Sequence, residues 1–125
     1  MKIIIAGGRD ITDYSIVLAA ILKSKYWNLY HREIEVVCGM AHGVDALGKE
    51  FAERNGLILH EFPADWKTHG RKAGPIRNAE MGNFTKLHGG RLLAIWDGTS
   101  IGTKNMITWA EKNDLGHYVY RVNKP

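Results

Sequence analysis

The stretch "KIIIAGGRD" (residues 2–10) decides the fold. Its first half is short, β-branched and continuously apolar, which is typical of a strand buried on both faces of a parallel sheet. Gly7 and Gly8 end this strand. The next apolar residues recur at helical spacing behind a capping Thr12 or Asp13. The stretch therefore predicts a strand, a glycine turn and a helix that runs to about residue 26.

The same alternation continues along the chain. Four further strands are predicted at residues 33–38, 57–62, 91–97 and 117–122, with helices at 44–56, 75–88 and 103–114. Alternating strands and helices favour an α/β sandwich of three layers, with a mainly parallel sheet of about five strands and helices on both faces. We expect one domain over residues 1–125, because this length suits a single core.

The charge, the apolar runs and the cysteine content of the chain limit the kinds of ligand and cellular compartment that we expect. The net charge is +4 and the pI is about 9.3, which suits an anionic ligand such as a nucleotide or nucleic acid. No apolar run approaches the roughly 20 residues of a membrane span, and the first apolar run is too short for a signal peptide. The single Cys38 favours a reducing compartment. We therefore expect a cytoplasmic protein without a membrane partner, and the scattered histidines predict no metal site.

Ligands of open parallel sheets bind beyond the carboxyl ends of the strands. Three of the four segments there are glycine turns that lead into helices, and glycine turns let backbone N–H groups approach an anion. The remaining segment, "WKTHGRKAGPIRNAEM" (residues 66–81), carries four cations. We expect it to be a lid-like basic loop, made mobile by Gly70 and Gly74, that leads into a helix with Pro75 in its first turn.

Four elements, "AGGRD" (6–10), "CGMAHGVDALGKEFA" (38–52), "PADWKTHGRKAGPIRNAEM" (63–81) and "GTSIGTKNM" (98–106), together resemble the YspA-like branch of the SLOG superfamily. This superfamily also includes the Lonely Guy phosphoribohydrolases and the DNA-processing protein A family. The resemblance implies a Rossmann-like fold that binds nucleotides or nucleotide-derived molecules. It also implies a phage or mobile-element source, and hence location in a host cytoplasm.

The chain departs from the Lonely Guy pattern at one position. Those enzymes bind phosphate with a Gly-Gly-x-Gly-Thr-x-x-Glu motif and an upstream arginine. Here Gly102, Thr103 and Arg77 match the phosphate-binding half, but Met106 stands where the catalytic glutamate is expected. An N-glycosidase, the first alternative function, would need another carboxylate. The catalytic candidates are Glu80, Asp97 and Asp45.

A second alternative is single-stranded nucleic-acid binding, because "GMAHGVD" (39–45) resembles a motif of the DNA-processing protein family. The leading hypothesis remains a small nucleotide-type ligand, with no cofactor required. The predicted ligand-binding residues are Gly7, Gly8, Arg9, Gly39, Gly43, Asp45, Asp65, Trp66, Lys72, Arg77, Asn78, Gly102 and Thr103.

Several side chains have two interpretations. Arg77 near a helix start is unfavourable unless an anion binds there. Asp45 is either an ordinary N-terminal helix carboxylate or an acceptor for ribose hydroxyls. Trp66 either packs in the core or stacks on a base. Trp27 and Tyr30 predict an apolar patch through which copies of the chain form a homo-oligomer.

Overall fold

The structure, a computed structural model, describes residues 1–123 and contains one parallel sheet. Its strands are Lys2–Gly7 (β1), Glu35–Gly39 (β2), Leu59–Phe62 (β3), Arg91–Trp96 (β4) and His117–Arg121 (β5). They are ordered β3-β2-β1-β4-β5, and every neighbouring pair is parallel. The predicted five-strand parallel sheet is confirmed.

Helices cover both faces of this sheet. They are Tyr14–Lys23 (α1), Tyr26–Tyr30 (α2), Val44–Arg54 (α3), Trp66–His69 (α4), Ala73–Leu87 (α5) and Ile101–Lys112 (α6), with 3-10 turns at His31–Glu33 and Gly70–Lys72. Within residues 1–123, no helix is both long enough and apolar enough to cross a membrane.

The buried side chains form two apolar clusters, one on each face of the sheet. Ile3 and Ile5 belong to the cluster beneath α1 and α3, whereas Ile4 belongs to the cluster beneath α5 and α6. Successive residues of a strand point to opposite faces, so a central strand with helices on both sides must be apolar throughout. This is why the first stretch of sequence predicts a three-layer sandwich.

The strand order places a crevice at one end of β1. The chain leaves β1 toward β2 and β3, and then returns to β4 on the other side of β1. The carboxyl ends of β1 and β4 therefore form the point where the connections reverse direction. Open α/β sheets bind their ligands at such points.

Two predictions about local structure are wrong. The first helix does not run to residue 26, because Lys25 adopts a left-handed conformation with φ of 68° and separates α1 from α2. The basic segment is not an irregular loop. Asp65 accepts a hydrogen bond from the Thr68 N–H at 3.1 Å and caps α4, and a 3-10 turn then connects α4 to α5.

The helix start also differs from the prediction at Arg77. Helix α5 begins at Ala73, so Pro75 is its third residue and Arg77 its fifth. Arg77 therefore lies in the second turn, where the repulsion by the helix dipole is weaker than at the first turn. Arg77 is therefore less unfavourable in the absence of an anion than its predicted place at a helix start implied.

The predicted aromatic patch is packed against the core. Trp27 contacts Phe51 edge to face, with 5.8 Å between the ring centroids, and Tyr30 packs on the same cluster. Its hydroxyl accepts a hydrogen bond from Arg91 Nε at 3.3 Å. Both aromatic side chains thus have partners within the chain. Homo-oligomer formation remains an expectation.

Candidate functional site

A cleft of about 860 Å³ opens at the carboxyl edge of the sheet. Of the predicted site residues, eight line it: Gly7, Arg9, Asp45, Trp66, Arg77, Asn78, Gly102 and Thr103. The sequence-based prediction omitted several polar residues that also line it, namely His42, Arg71, Ser100 and Asn105.

Arg77 reaches across the ends of two strands. Its guanidinium donates from Nη1 to the Phe62 carbonyl oxygen at 3.4 Å and from Nε to Asn78 Oδ1 at 3.2 Å. A Cβ built at Gly39 would overlap this guanidinium and would lie 2.7 Å from Asp45 Oδ2. Gly39 is thus explained by the space that Arg77 and Asp45 need at the end of β2.

Asp45 is a buried carboxyl group in the cleft. It is the second residue of α3, only 6% exposed, and accepts a hydrogen bond from the Ala41 N–H at 3.2 Å. Burial raises the pKa of Asp45, whereas the charge of Arg77, the Ala41 hydrogen bond and the charge of Arg9 oppose this rise. A carboxyl group with a raised pKa in a cleft is a candidate for proton transfer or ligand contact.

Asn78 connects Arg77 to the start of α6. Its side chain is 6% exposed, and its Nδ2 donates to the Gly102 carbonyl oxygen at 3.2 Å and to Asn105 Oδ1 at 2.9 Å. Because Arg77 Nε can only donate and the Gly102 carbonyl can only accept, these neighbours determine the orientation of the amide. Asn78 thus links Arg77 to the first turns of α6, a role that the sequence did not predict.

The N-terminus of α6 lines the cleft. Ser100 caps it by accepting from the Thr103 N–H at 3.4 Å, and the two hydroxyls are 2.9 Å apart. Asp97 Oδ1 accepts from the Ser100 N–H at 2.8 Å and orders the preceding turn. The N–H groups of a first helical turn have no carbonyl partner within the helix, and they favour an anion at that end.

Close packing of two loops explains Gly43. Gly43 has φ of 75°, and a Cβ there would overlap the Gly8 carbonyl oxygen and lie 2.5 Å from the Arg9 carbonyl oxygen. The Val44 N–H donates to that same Gly8 carbonyl at 3.2 Å. Gly43 therefore allows the loops after β1 and β2 to approach each other closely beside the cleft.

Seven predicted site residues lie outside the lining of the cleft: Gly8, Gly39, Gly43, Asp65, Lys72, Glu80 and Asp97. Lys72 and Glu80 are exposed. Asp65 caps α4 and Asp97 orders the turn before α6, so both carboxylates have local structural roles.

Cues for the omitted residues were present in the sequence. Arg71 belongs to the basic stretch, and His42 belongs to the same glycine turn as Gly43. Ser100 lies directly before α6, and serine is a common N-cap residue. The inward direction of Asn105, by contrast, depends on the rotation of α6 about its axis. Only the packed structure gives that rotation.

Together, the parallel sheet ordered β3-β2-β1-β4-β5, its helices on both faces and the cationic cleft at the reversal point define a Rossmann-like α/β domain. The family model described as "YspA, cpYpsA-related SLOG family" matches residues 1–69, which is more than half of the chain. The chain belongs to this SLOG family, and the resemblance found in the sequence is confirmed.

Relatives come from phages and prophages. Gene 61 protein of Mycobacterium phage D29 is 30% identical over 116 residues, covering 89% of each chain. The uncharacterized SPbeta prophage-derived protein YoqJ of Bacillus subtilis (strain 168) is 31% identical over 61 residues, which are 46% of this chain and 36% of YoqJ. The chain therefore matches about a third of YoqJ. Both relatives fit the expected phage or mobile-element source.

Proposed function

We propose that this protein binds a nucleotide or nucleotide-derived phosphate ligand in the cleft. The observation that carries the proposal is the convergence of Arg9, Arg71 and Arg77 on a cleft that is also lined by the N-terminus of α6. Cationic side chains in a cleft and a helix N-terminus both favour a bound anion. The nucleotide part of the proposal is supported by what the SLOG resemblance implies.

Charge and size agree with this ligand class. Among the described residues, the cleft lining holds three arginines against one carboxyl group, that of Asp45. A cleft of about 860 Å³ lies within the roughly 300–1,000 Å³ usual for small-molecule sites. The proposal involves no metal or additional cofactor.

Thermal-shift measurements and calorimetry test this proposal. The panel contains nucleoside mono-, di- and triphosphates, ADP-ribose and cyclic dinucleotides. A ligand at 100 times its dissociation constant is expected to stabilise the fold by about 2.7 kcal/mol. A labelled single-stranded oligonucleotide tested alongside addresses the nucleic-acid alternative, whose affinity would fall steeply with salt. If no member of the panel shifts the melting temperature, the small-ligand proposal fails.

The position of Asp45 supports a second candidate, hydrolysis of the N-glycosidic bond of a nucleoside 5′-phosphate. In this reaction water adds to C1′ of the ribose, the bond to the base breaks, and the base leaves with a proton. A carboxylate is needed beside the oxocarbenium-like centre. Among the carboxylates predicted to be catalytic, Asp45 lines the cleft, whereas Glu80 and Asp97 do not.

Incubation with nucleoside 5′-monophosphates, followed by chromatography for free base, tests this second candidate. We expect Asp45→Asn to abolish base release, because the amide cannot carry the negative charge. Glu111→Gln, at an exposed position of α6, is the matched control and should retain the activity. Persistent release by Asp45→Asn would exclude this mechanism, and loss in Glu80→Gln or Asp97→Asn would favour those residues instead.

A further inference from the structure

We propose that Trp66 forms a second subsite of the cleft, a platform for the flat aromatic base of the ligand. This inference rests on the proposed function, because it concerns the same ligand. Trp66 is the first residue of α4 and is 52% exposed although it lines the cleft. An exposed indole forgoes hydrophobic stabilisation, and a flat ring stacked on it would remove that surface from water.

The position of the indole relative to Arg77 fits a nucleotide. A Cβ built at Gly74 would lie 3.5 Å from Trp66 Cη2, so the indole lies against the first turn of α5. Gly74 and Arg77 are three residues apart, so they are neighbours on one face of the helix, about 4.5 Å apart along its axis. Trp66 therefore lies beside the first turn of α5 and Arg77 projects from its second turn, and both side chains line the same cleft.

Two more exposed apolar side chains line the same cleft. Met40 follows β2 and is 60% exposed, and Ile101 begins α6 and is 85% exposed. With Trp66, which follows β3, they bring apolar surface from three separate segments to a cleft that also contains arginines. This combination complements a ligand with both an apolar ring and a phosphate. Inorganic phosphate and sugar phosphates have no apolar ring that could contact these three side chains.

The test compares nucleoside monophosphates with the same phosphate and sugar lacking a base. AMP, GMP, CMP and UMP are titrated by calorimetry against ribose 5-phosphate, with wild type, Trp66→Leu and Trp66→Phe. In wild type, the best nucleoside monophosphate should bind about tenfold more tightly than ribose 5-phosphate, the size expected for one stacked base. Trp66→Leu should lose most of this preference by weakening nucleotide binding alone, and Trp66→Phe should retain part of it.

Tryptophan fluorescence provides a second readout, which would not respond to nucleotide binding in this way if Trp66 had only a structural role. Nucleotide binding should quench tryptophan emission in wild type, and the quenching should be lost in Trp66→Phe, although Trp27, Trp96 and Trp109 remain. Equal affinity of wild type for nucleotides and ribose 5-phosphate would overturn the platform while leaving phosphate binding intact. An equal loss for both probe types in Trp66→Leu would also overturn it. No binding by any phosphate compound would overturn both proposals.

Discussion

Gly43→Ala is expected to reduce the free energy of unfolding by about 2–6 kcal/mol. Two costs add at this position. The backbone has φ of 75° and ψ of −129°, a region that only glycine occupies readily, and forcing another residue into it costs about 1–3 kcal/mol. The new Cβ would also overlap the Gly8 carbonyl oxygen and lie 2.5 Å from the Arg9 carbonyl oxygen. Overpacking of this kind costs about 1–3 kcal/mol more.

Gly70→Ala provides a control for the backbone contribution. Gly70 has φ of 56° and ψ of −131°, close to the conformation of Gly43, but a Cβ there has nothing within 4 Å. We expect only the conformational cost at Gly70, so the two variants differ by the cost of the clash between loops. Urea unfolding followed by circular dichroism measures both values. Equal losses in the two variants would show that the loops move apart without cost.

Arg77→Ala is expected to weaken ligand binding by about 1.5–3 kcal/mol, which corresponds to about 10- to 150-fold in the dissociation constant. The guanidinium is the one charged group in the lining that donates hydrogen bonds to both the end of β3 and Asn78, among the contacts of the described residues. A charged donor held in place loses little entropy when it meets a phosphate. Calorimetry with the tightest-binding nucleotide of the panel measures the change.

Lys86→Ala is the matched control for this variant, because Lys86 is an exposed cation near the other end of the same helix. It removes the same net charge and should leave the affinity within about twofold, since exposed charges farther than a Debye length are screened. An equal loss of affinity in both variants would mean that the overall charge, rather than Arg77 itself, attracts the ligand.

The structure changes the expectation for Arg77 without ligand. Because the sequence placed Arg77 at a helix start, it predicted that Arg77→Ala without ligand would lose almost no stability or would gain slightly. Since Arg77 hydrogen-bonds the Phe62 carbonyl and its charge lowers the pKa of buried Asp45, we now expect Arg77→Ala to lose about 1 kcal/mol at neutral pH. Burial already raises the pKa of Asp45 in the folded wild type, and without Arg77 the folded variant would hold this proton still more tightly. The stability that Arg77→Ala loses relative to wild type should therefore shrink as the pH falls toward about 3.9, the pKa of an aspartate in the unfolded chain.

The sequence predicted the number of strands, the parallel sheet and the edge of the sheet at which the cleft lies, because these depend on local patterns. The apolar run through Ile3, Ile4 and Ile5 requires cover on both faces, and each glycine turn marks the end of a strand. The carboxyl ends of parallel strands must share one edge, so the positions of Gly7, Asp45, Arg77 and Gly102 after their strands were enough to group them. The cap at Asp65 was missed, although it turns a basic loop into helix α4.

Tertiary structure alone decided which of the grouped residues face the cleft. Helix rotation places Glu80 in solvent and Asn78 in the interior, although they are only two residues apart on α5. The close approach of the loops after β1 and β2 makes Gly43 a packing residue, and the reach of Arg77 toward the end of β3 explains Gly39. These assignments depend on distances between segments far apart in the chain. Local sequence patterns carry no information about such distances, because packing of the two apolar clusters sets them.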